Sequence, residues 1–129
     1  MNAKDNKGWD ALMSVALGVA NADNVKLLIK NGADVKAKNE DGMTALIIAA
    51  IGDENVEAVK ALLEAGADVN AADNEGHTAL MMSVYESGSA DVAKALITAG
   101  ADVNAKDKDG KTAKDYVSGS AAEELAKLF

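Results

Sequence analysis

"LLEAGADVNA", Leu62–Ala71, joins a helix-forming run to an abrupt exit. Leu62, Leu63, Glu64 and Ala65 favour a helix, and Gly66 stands where a left-handed residue would close one. A near copy, "LITAGADVNA", begins at Leu96, and a looser one, "LIKNGADVKA", begins at Leu28. Gly32, Gly66 and Gly100 therefore lie 34 residues apart. A second series, Gly8, Gly42, Gly76 and Gly110, keeps the same period and is followed two residues later by Asp10, Thr44, Thr78 or Thr112. Two glycine series sharing one period across the chain identify a repeat array.

Each unit has a physical reading. Thr44, Thr78 and Thr112, with Asp10 in the first unit, are N-cap residues whose side-chain oxygen can accept an orphan amide. The helical runs "ALMSVALG", "ALIIAAIG" and "ALMMSVYES" follow, with Leu12, Leu46 and Leu80 in one inward slot. After a polar break come second helices, "VKLLIKN", "VEAVKALLEA" and "DVAKALITA", each stopped by Gly32, Gly66 or Gly100. The segments "ADVKAKNEDG", "ADVNAADNEG" and "ADVNAKDKDG" are expected to be extended and then to turn. The unit is thus helix, loop, helix and projecting turn. "GAD" recurs because every helix pair must end at the same place for the next to stack on it.

The pattern resembles the ankyrin repeat. The family's "D-x-x-G-x-T-P-L-H-x-A" opening stands here at 5–13, 39–47 and 73–81, and its "G-A-D-V-N"-type closing occurs three times. The resemblance implies an all-α solenoid of stacked helix-turn-helix units with projecting β-turn fingers. It would be one domain over 1–129, with repeats at about 5–38, 39–72 and 73–106 and a C-terminal cap at 107–129. There are departures. Ala11, Ala45, Ala79 and Ala113 replace the proline at the first helical position, which loses pre-organisation and not the fold. Met13, Ile47, Met81 and Asp115 fill the histidine slot, so histidine hydrogen bonds between repeats cannot form there. The period exceeds the family's usual span of about 33, and counting from both ends places the extra residue between the two helices. The "TAL" form of the opening resembles bacterial members. In the last unit a capping box from Ser120 to Glu123 is expected before a short closing helix.

Composition narrows the function. The chain has 129 residues, enough for one core, with four aromatic residues, no cysteine and no proline. Thirteen basic residues against 21 acidic ones, a net charge of −8, argue against a duplex nucleic-acid partner. No apolar run has the length of a membrane span, and the polar start "MNAKDNKGWD" has no signal-peptide core. Met1 can equally precede a mature sequence whose leader was removed, so the compartment stays open. Catalytic constellations are sparse. His77 is the only histidine, so a hydrolase reading must pair it with a serine such as Ser83, and the bland reading is a solvent-exposed contact residue. "DNEG" and "DKDG" fail as calcium loops: with Gly110 as the loop glycine, Ala105 takes the first ligand slot and Tyr116 the bidentate one. No cofactor or metal is expected.

In such an array, function belongs to slots that the framework leaves free. The slot after each finger glycine reads Trp9, Met43, His77 and Lys111. Late in the first helices one slot reads Leu17, Ile51 and Tyr85, and the next Gly18, Gly52 and Glu86. Met13, Ile47 and Met81 are assigned to the core between first helices. Trp9, Leu17, Met43, Ile51, His77, Tyr85, Glu86 and Lys111 are assigned to partner binding, since the resemblance implies that such slots face a concave groove. Tyr and Trp also dominate many interfaces. The acidic tips Glu40, Asp41, Glu75 and Asp109 would steer a basic partner. The expectation is a non-enzymatic scaffold, monomeric when unbound, that clasps one folded protein such as an enzyme. It would inhibit or sequester that partner, as an immunity protein does. The alternatives are an engineered repeat protein without a native partner, and a hydrolase or ligand-binding protein using His77.

Overall fold

Capping chemistry sets the helix starts. Thr44 Oγ1 accepts the Ile47 N–H at 3.3 Å, Thr78 Oγ1 the Met81 N–H at 3.4 Å, and Asp10 Oδ1 the Met13 N–H at 2.9 Å. Each satisfies an amide that the first helical turn cannot. The computed structural model describes residues 2–17, 22–51, 55–85, 90–117 and 122–129. Helices α1 (Ala11–Leu17) and α2 (Ala22–Lys30) form the first pair, α3 (Ala45–Ala50) and α4 (Val56–Glu64) the second, and α5 (Ala79–Val84) and α6 (Ala90–Thr98) the third. A 3₁₀ turn, Ala113–Tyr116, and α7 (Ala122–Ala126) close the stack.

Packing follows the repeat. The first helices stack α1 on α3 on α5 and then on the 3₁₀ turn, while α2, α4, α6 and α7 make a second row. Among the described residues there is no strand, only an isolated antiparallel bridge between Ala72 and Thr78. The all-α solenoid of stacked helix pairs is therefore observed. Leu12, Leu46 and Leu80 are fully buried, as are Met13, Ile47 and Met81, which seal the seam between first helices.

The second helices stop as their glycines require. Gly32, Gly66 and Gly100 have φ of 96°, 93° and 100°. The following N–H groups of Ala33, Ala67 and Ala101 each donate to Leu28, Leu62 and Leu96 carbonyls at 3.0 Å, the six-to-one bond of a Schellman ending. The next segment corrects the sequence expectation. The chain turns already at Val35, Val69 and Val103, earlier than expected. Asp34, Asp68 and Asp102 Oδ1 accept the N–H of Lys36, Asn70 and Asn104 at 2.9, 3.0 and 2.9 Å. A carboxylate that bonds its own backbone two residues on closes a turn, and this outweighs the β preference of the valines.

The last unit departs from its predecessors. Thr112 directs both its N–H and its hydroxyl to Asp115 Oδ2, at 2.9 and 3.2 Å, and the helix contracts to four 3₁₀ residues. Ser120 of the expected capping box lies outside the described residues. So do Gly18, Gly52 and the inter-helix loops expected to hold the extra residue of the period.

The fingers share one design. Oδ1 of Asp5, Asn39, Asp73 or Asp107 accepts two backbone N–H groups, two and four residues ahead, at 2.8–3.0 Å. Successive fingers are also joined: Glu40, Asn74 and Lys108 N–H donate to Lys7, Asp41 and Glu75 carbonyls at 2.9, 2.9 and 3.0 Å. This approach leaves no room beside the finger glycine. A Cβ on Gly76 would lie 2.9 Å from Asp107 Cα and 3.1 Å from Lys108 N, whereas one on Gly110 would meet nothing within 4 Å. Both glycines have positive φ, 83° and 76°. Gly110→Ala should therefore cost only the backbone strain, about 1–2 kcal/mol. Gly76→Ala should cost at least about 1 kcal/mol more through the displaced finger. Urea midpoints of the two variants measure the difference, and equal losses would mean that the fingers do not press on each other.

A further tie crosses between some repeats. Asn70 Oδ1 accepts the Asp102 N–H at 2.7 Å and its Nδ2 donates to the Gly100 carbonyl at 3.4 Å. Asn2 does the same with Asp34 and Gly32, at 3.1 and 3.4 Å. Lys36 occupies the corresponding slot between them, and an ammonium cannot accept. Lys36→Asn is expected to raise stability by up to about 1 kcal/mol, read as a higher urea midpoint with an unchanged slope.

Candidate partner-binding face

Leu17 ends α1, while Ile51 and Tyr85 are the residues after the last turns of α3 and α5. Their side chains are 56%, 49% and 55% exposed. Since α1, α3 and α5 lie side by side, these three form an apolar row across three layers. Exposed large apolar side chains gathered on one face mark interaction sites. Leu27 on α2 is as exposed as Leu17 but belongs to the other helical row.

The remaining candidates divide. Trp9 and Met43 are half-buried against the core, because their N–H groups are bonded to Asp5 and Asn39 and the finger base lies on the first helices. They precede the first turns of α1 and α3, at the opposite helix ends from Leu17 and Ile51, and do not stand free. Glu40, Asp41, Glu75, Asp109 and Lys111 are exposed, with Glu75 4.0 Å from Lys108. Glu86 lies outside the described residues.

His77 needs the largest correction. It is no free surface residue: its ring is 29% exposed and wedged between two carboxylates. Nδ1 lies 3.3 Å from Asp73 Oδ2, and Nε2 lies 3.5 Å from Asp107 Oδ2. The Tyr116 hydroxyl donates a hydrogen bond to that same Asp107 oxygen. Tyr116 packs edge-to-face with His77 and with Tyr85, at centroid separations of 6.1 and 5.8 Å. The Lys111 ammonium lies over the Tyr116 ring, 5.6 Å from its centroid. A cleft of about 340 Å³ opens here, lined by His77, Met81, Met82, Tyr85 and Tyr116.

Tyr116 is the residue that sequence reasoning missed. It occupies the slot of Ser14, Ile48 and Met82, and an aromatic residue appearing there only in the last unit was the available signal. The hydrolase alternative gains nothing from the geometry. Ser83 is buried and donates its hydroxyl to the Leu80 carbonyl at 2.7 Å, while both His77 nitrogens face carboxylates, so the serine–histidine bond that activates a nucleophile is not formed. Among the described residues no group of three or more His, Cys, Asp or Glu side chains is placed to hold a metal ion, and no helix is long and apolar enough to cross a membrane.

The Asp107–Tyr116 bond shifts both partners. Asp107 is held below its ordinary value, chiefly by the Tyr116 hydroxyl and also by the N–H groups of Lys111 and Asp109, against the opposing effect of burial. Tyr116 is pushed up to about 12 by donating to Asp107, by burial, and by the charges of Asp107 and Asp109. The Asp107 contribution to stability is present above its ordinary carboxyl value of 3.8 and is lost as pH falls through its depressed native value. The Tyr116 contribution is complete below 10.0 and lost as pH rises towards about 12. Asp107→Asn should preserve the finger, because Asn39 fills the same slot. It should return Tyr116 ionisation towards 10.0, followed by the ring resonances of Tyr116; an unmoved midpoint would refute the Asp107 carboxylate as the cause.

A search of the curated proteins found no match. The family model for ankyrin repeats, in three copies, matches residues 12–107, from α1 through α6 to the first residue of the last finger. Such repeats generally mediate protein–protein interaction. With three helix pairs stacked in register, glycine-closed second helices and a ladder of fingers, the chain belongs to the ankyrin repeat family.

Proposed function

We propose that the protein is a non-enzymatic scaffold that binds one folded protein, with Leu17, Ile51 and Tyr85 as the centre of contact. The supporting observation is this row, exposed at the same slot in three adjacent layers. Three large side chains held on one rigid face lose little freedom on binding, which favours affinity. Trp9 and Met43, at the finger bases, would extend the contact towards the other ends of the first helices, and the acidic tips Glu40, Asp41, Glu75 and Asp109 favour a partner surface of basic character. Covering its partner is the effect that such a face exerts by itself, so inhibition or sequestration, for instance of an enzyme, is the corresponding role. The net charge of −8 supports a partner of opposite sign.

Affinity capture of the partner followed by calorimetry tests this reading. Ile51→Ala combined with Tyr85→Ala should weaken binding by about 2 kcal/mol or more, while Leu27→Ala, equally exposed but on the other helical row, should leave it unchanged. Loss with Leu27→Ala and retention with the pair would move the binding face to the second helices.

A further inference from the structure

The cleft at the Tyr85 end of the row differs from the rest of the face in its electrostatics. Its lining is two phenol rings, two thioethers and an imidazole. Directly behind the imidazole lie two carboxylates, Asp73 and Asp107, whose side chains are only 10% and 1% exposed. One imidazole carries at most one positive charge, so the pair leaves a negative excess that bulk water screens poorly. The rise of Tyr116 to about 12 comes first from its hydrogen bond to Asp107 and from burial, and the charges of Asp107 and Asp109 add to it. The chain's own cation answers the negative excess only in part: Lys111 Nζ lies over the Tyr116 ring, while Asp109 adds a further negative charge acting on that ring.

On the reading that this face binds a protein, we propose that the cleft receives one arginine side chain of the partner. Its methylene stem would lie along Met82, the half-buried one of the two methionines, and its guanidinium against the rings of Tyr85 and Tyr116. The size fits: about 340 Å³ is near the lower end for ligand pockets and suits one long side chain. An acidic group is repelled by Asp73 and Asp107. An apolar group gains the methionine contacts but leaves the negative excess unanswered. Between the two basic side chains, guanidinium is planar, less strongly hydrated and stacks on aromatic faces, whereas ammonium keeps its water. Methionine thioethers adapt their rotamers to such a stem.

The test needs no partner. The peptide N-acetyl-Ala-Arg-Ala-amide is titrated into the protein while methionine methyl and tyrosine ring resonances are followed, in parallel with peptides bearing citrulline, lysine or leucine at the centre. The arginine peptide should move Met82, Tyr85 and Tyr116 signals saturably. Its neutral isostere, citrulline, should bind about tenfold more weakly. Tyr85→Ala should abolish the response and Tyr85→Phe should retain it, which separates loss of the ring from loss of the fold. Leucine binding as well as arginine, lysine binding as tightly as arginine, or no saturable shift with any peptide would each overturn the assignment. Because the probes act on the cleft alone, this outcome is independent of whether Ile51→Ala and Tyr85→Ala weaken a protein partner.

Discussion

Helix α3 has six residues, and all of them, Ala45 to Ala50, are 2% exposed or less. A helix this short does not persist in water by itself, and one buried on every side cannot be satisfied by a single neighbour. It must be covered by α1 before it, by α5 after it and by α4 behind it, the helices it touches. Mutual burial between adjacent layers is thus the constraint from which the remaining features follow. It explains the constant period, because a layer shifted by even one residue would present the wrong face of its first helix to both neighbours.

The fingers convert this stacking into a fixed geometry. Helix packing alone tolerates a scatter of crossing angles, but a backbone hydrogen bond from each finger to the next does not. Close approach of the chains requires the finger glycines, and the paired N–H bonds to Asp5, Asn39, Asp73 and Asp107 keep each tip in one shape. The result for function is that Leu17, Ile51 and Tyr85 are carried at equivalent positions by layers that cannot rotate freely against one another. A partner meets a face that is already organised.

Much of this was legible in the sequence because the responsible residues repeat. The N-caps Thr44 and Thr78, the closing glycines Gly32, Gly66 and Gly100, and the inward leucines each recur at one interval, and the structure uses them as their chemistry dictates. The exposed row was legible for a related reason, since its slot holds a large and different side chain in each unit while the inward leucine slot stays constant. What escaped was local competition and contact between distant parts. The "ADV" turns hide behind valine's preference for strands, and only the placement of Asp34, Asp68 and Asp102 reveals them. His77 read as free because Asp107, which grips it, lies in the following finger. Tyr116 falls where the pattern decays, so no repeat flagged it. A period identifies what the units share, and the candidate site is built where they differ.

At the C-terminal side of the third layer those differences converge, with Tyr85 from the row, His77 from a finger and Tyr116 from the cap meeting around Asp107. All of this rests on layers that hold one another in place. Native-state hydrogen exchange resolved by residue measures that most directly. The finger amides of Glu40, Asn74 and Lys108, although near the surface, are expected to exchange as slowly as those within α3 and α5, because opening them requires separating whole layers. Exchange of these three amides at the rate of unprotected chain, with α3 still protected, would contradict the account by showing fingers that merely hang from an otherwise self-sufficient stack.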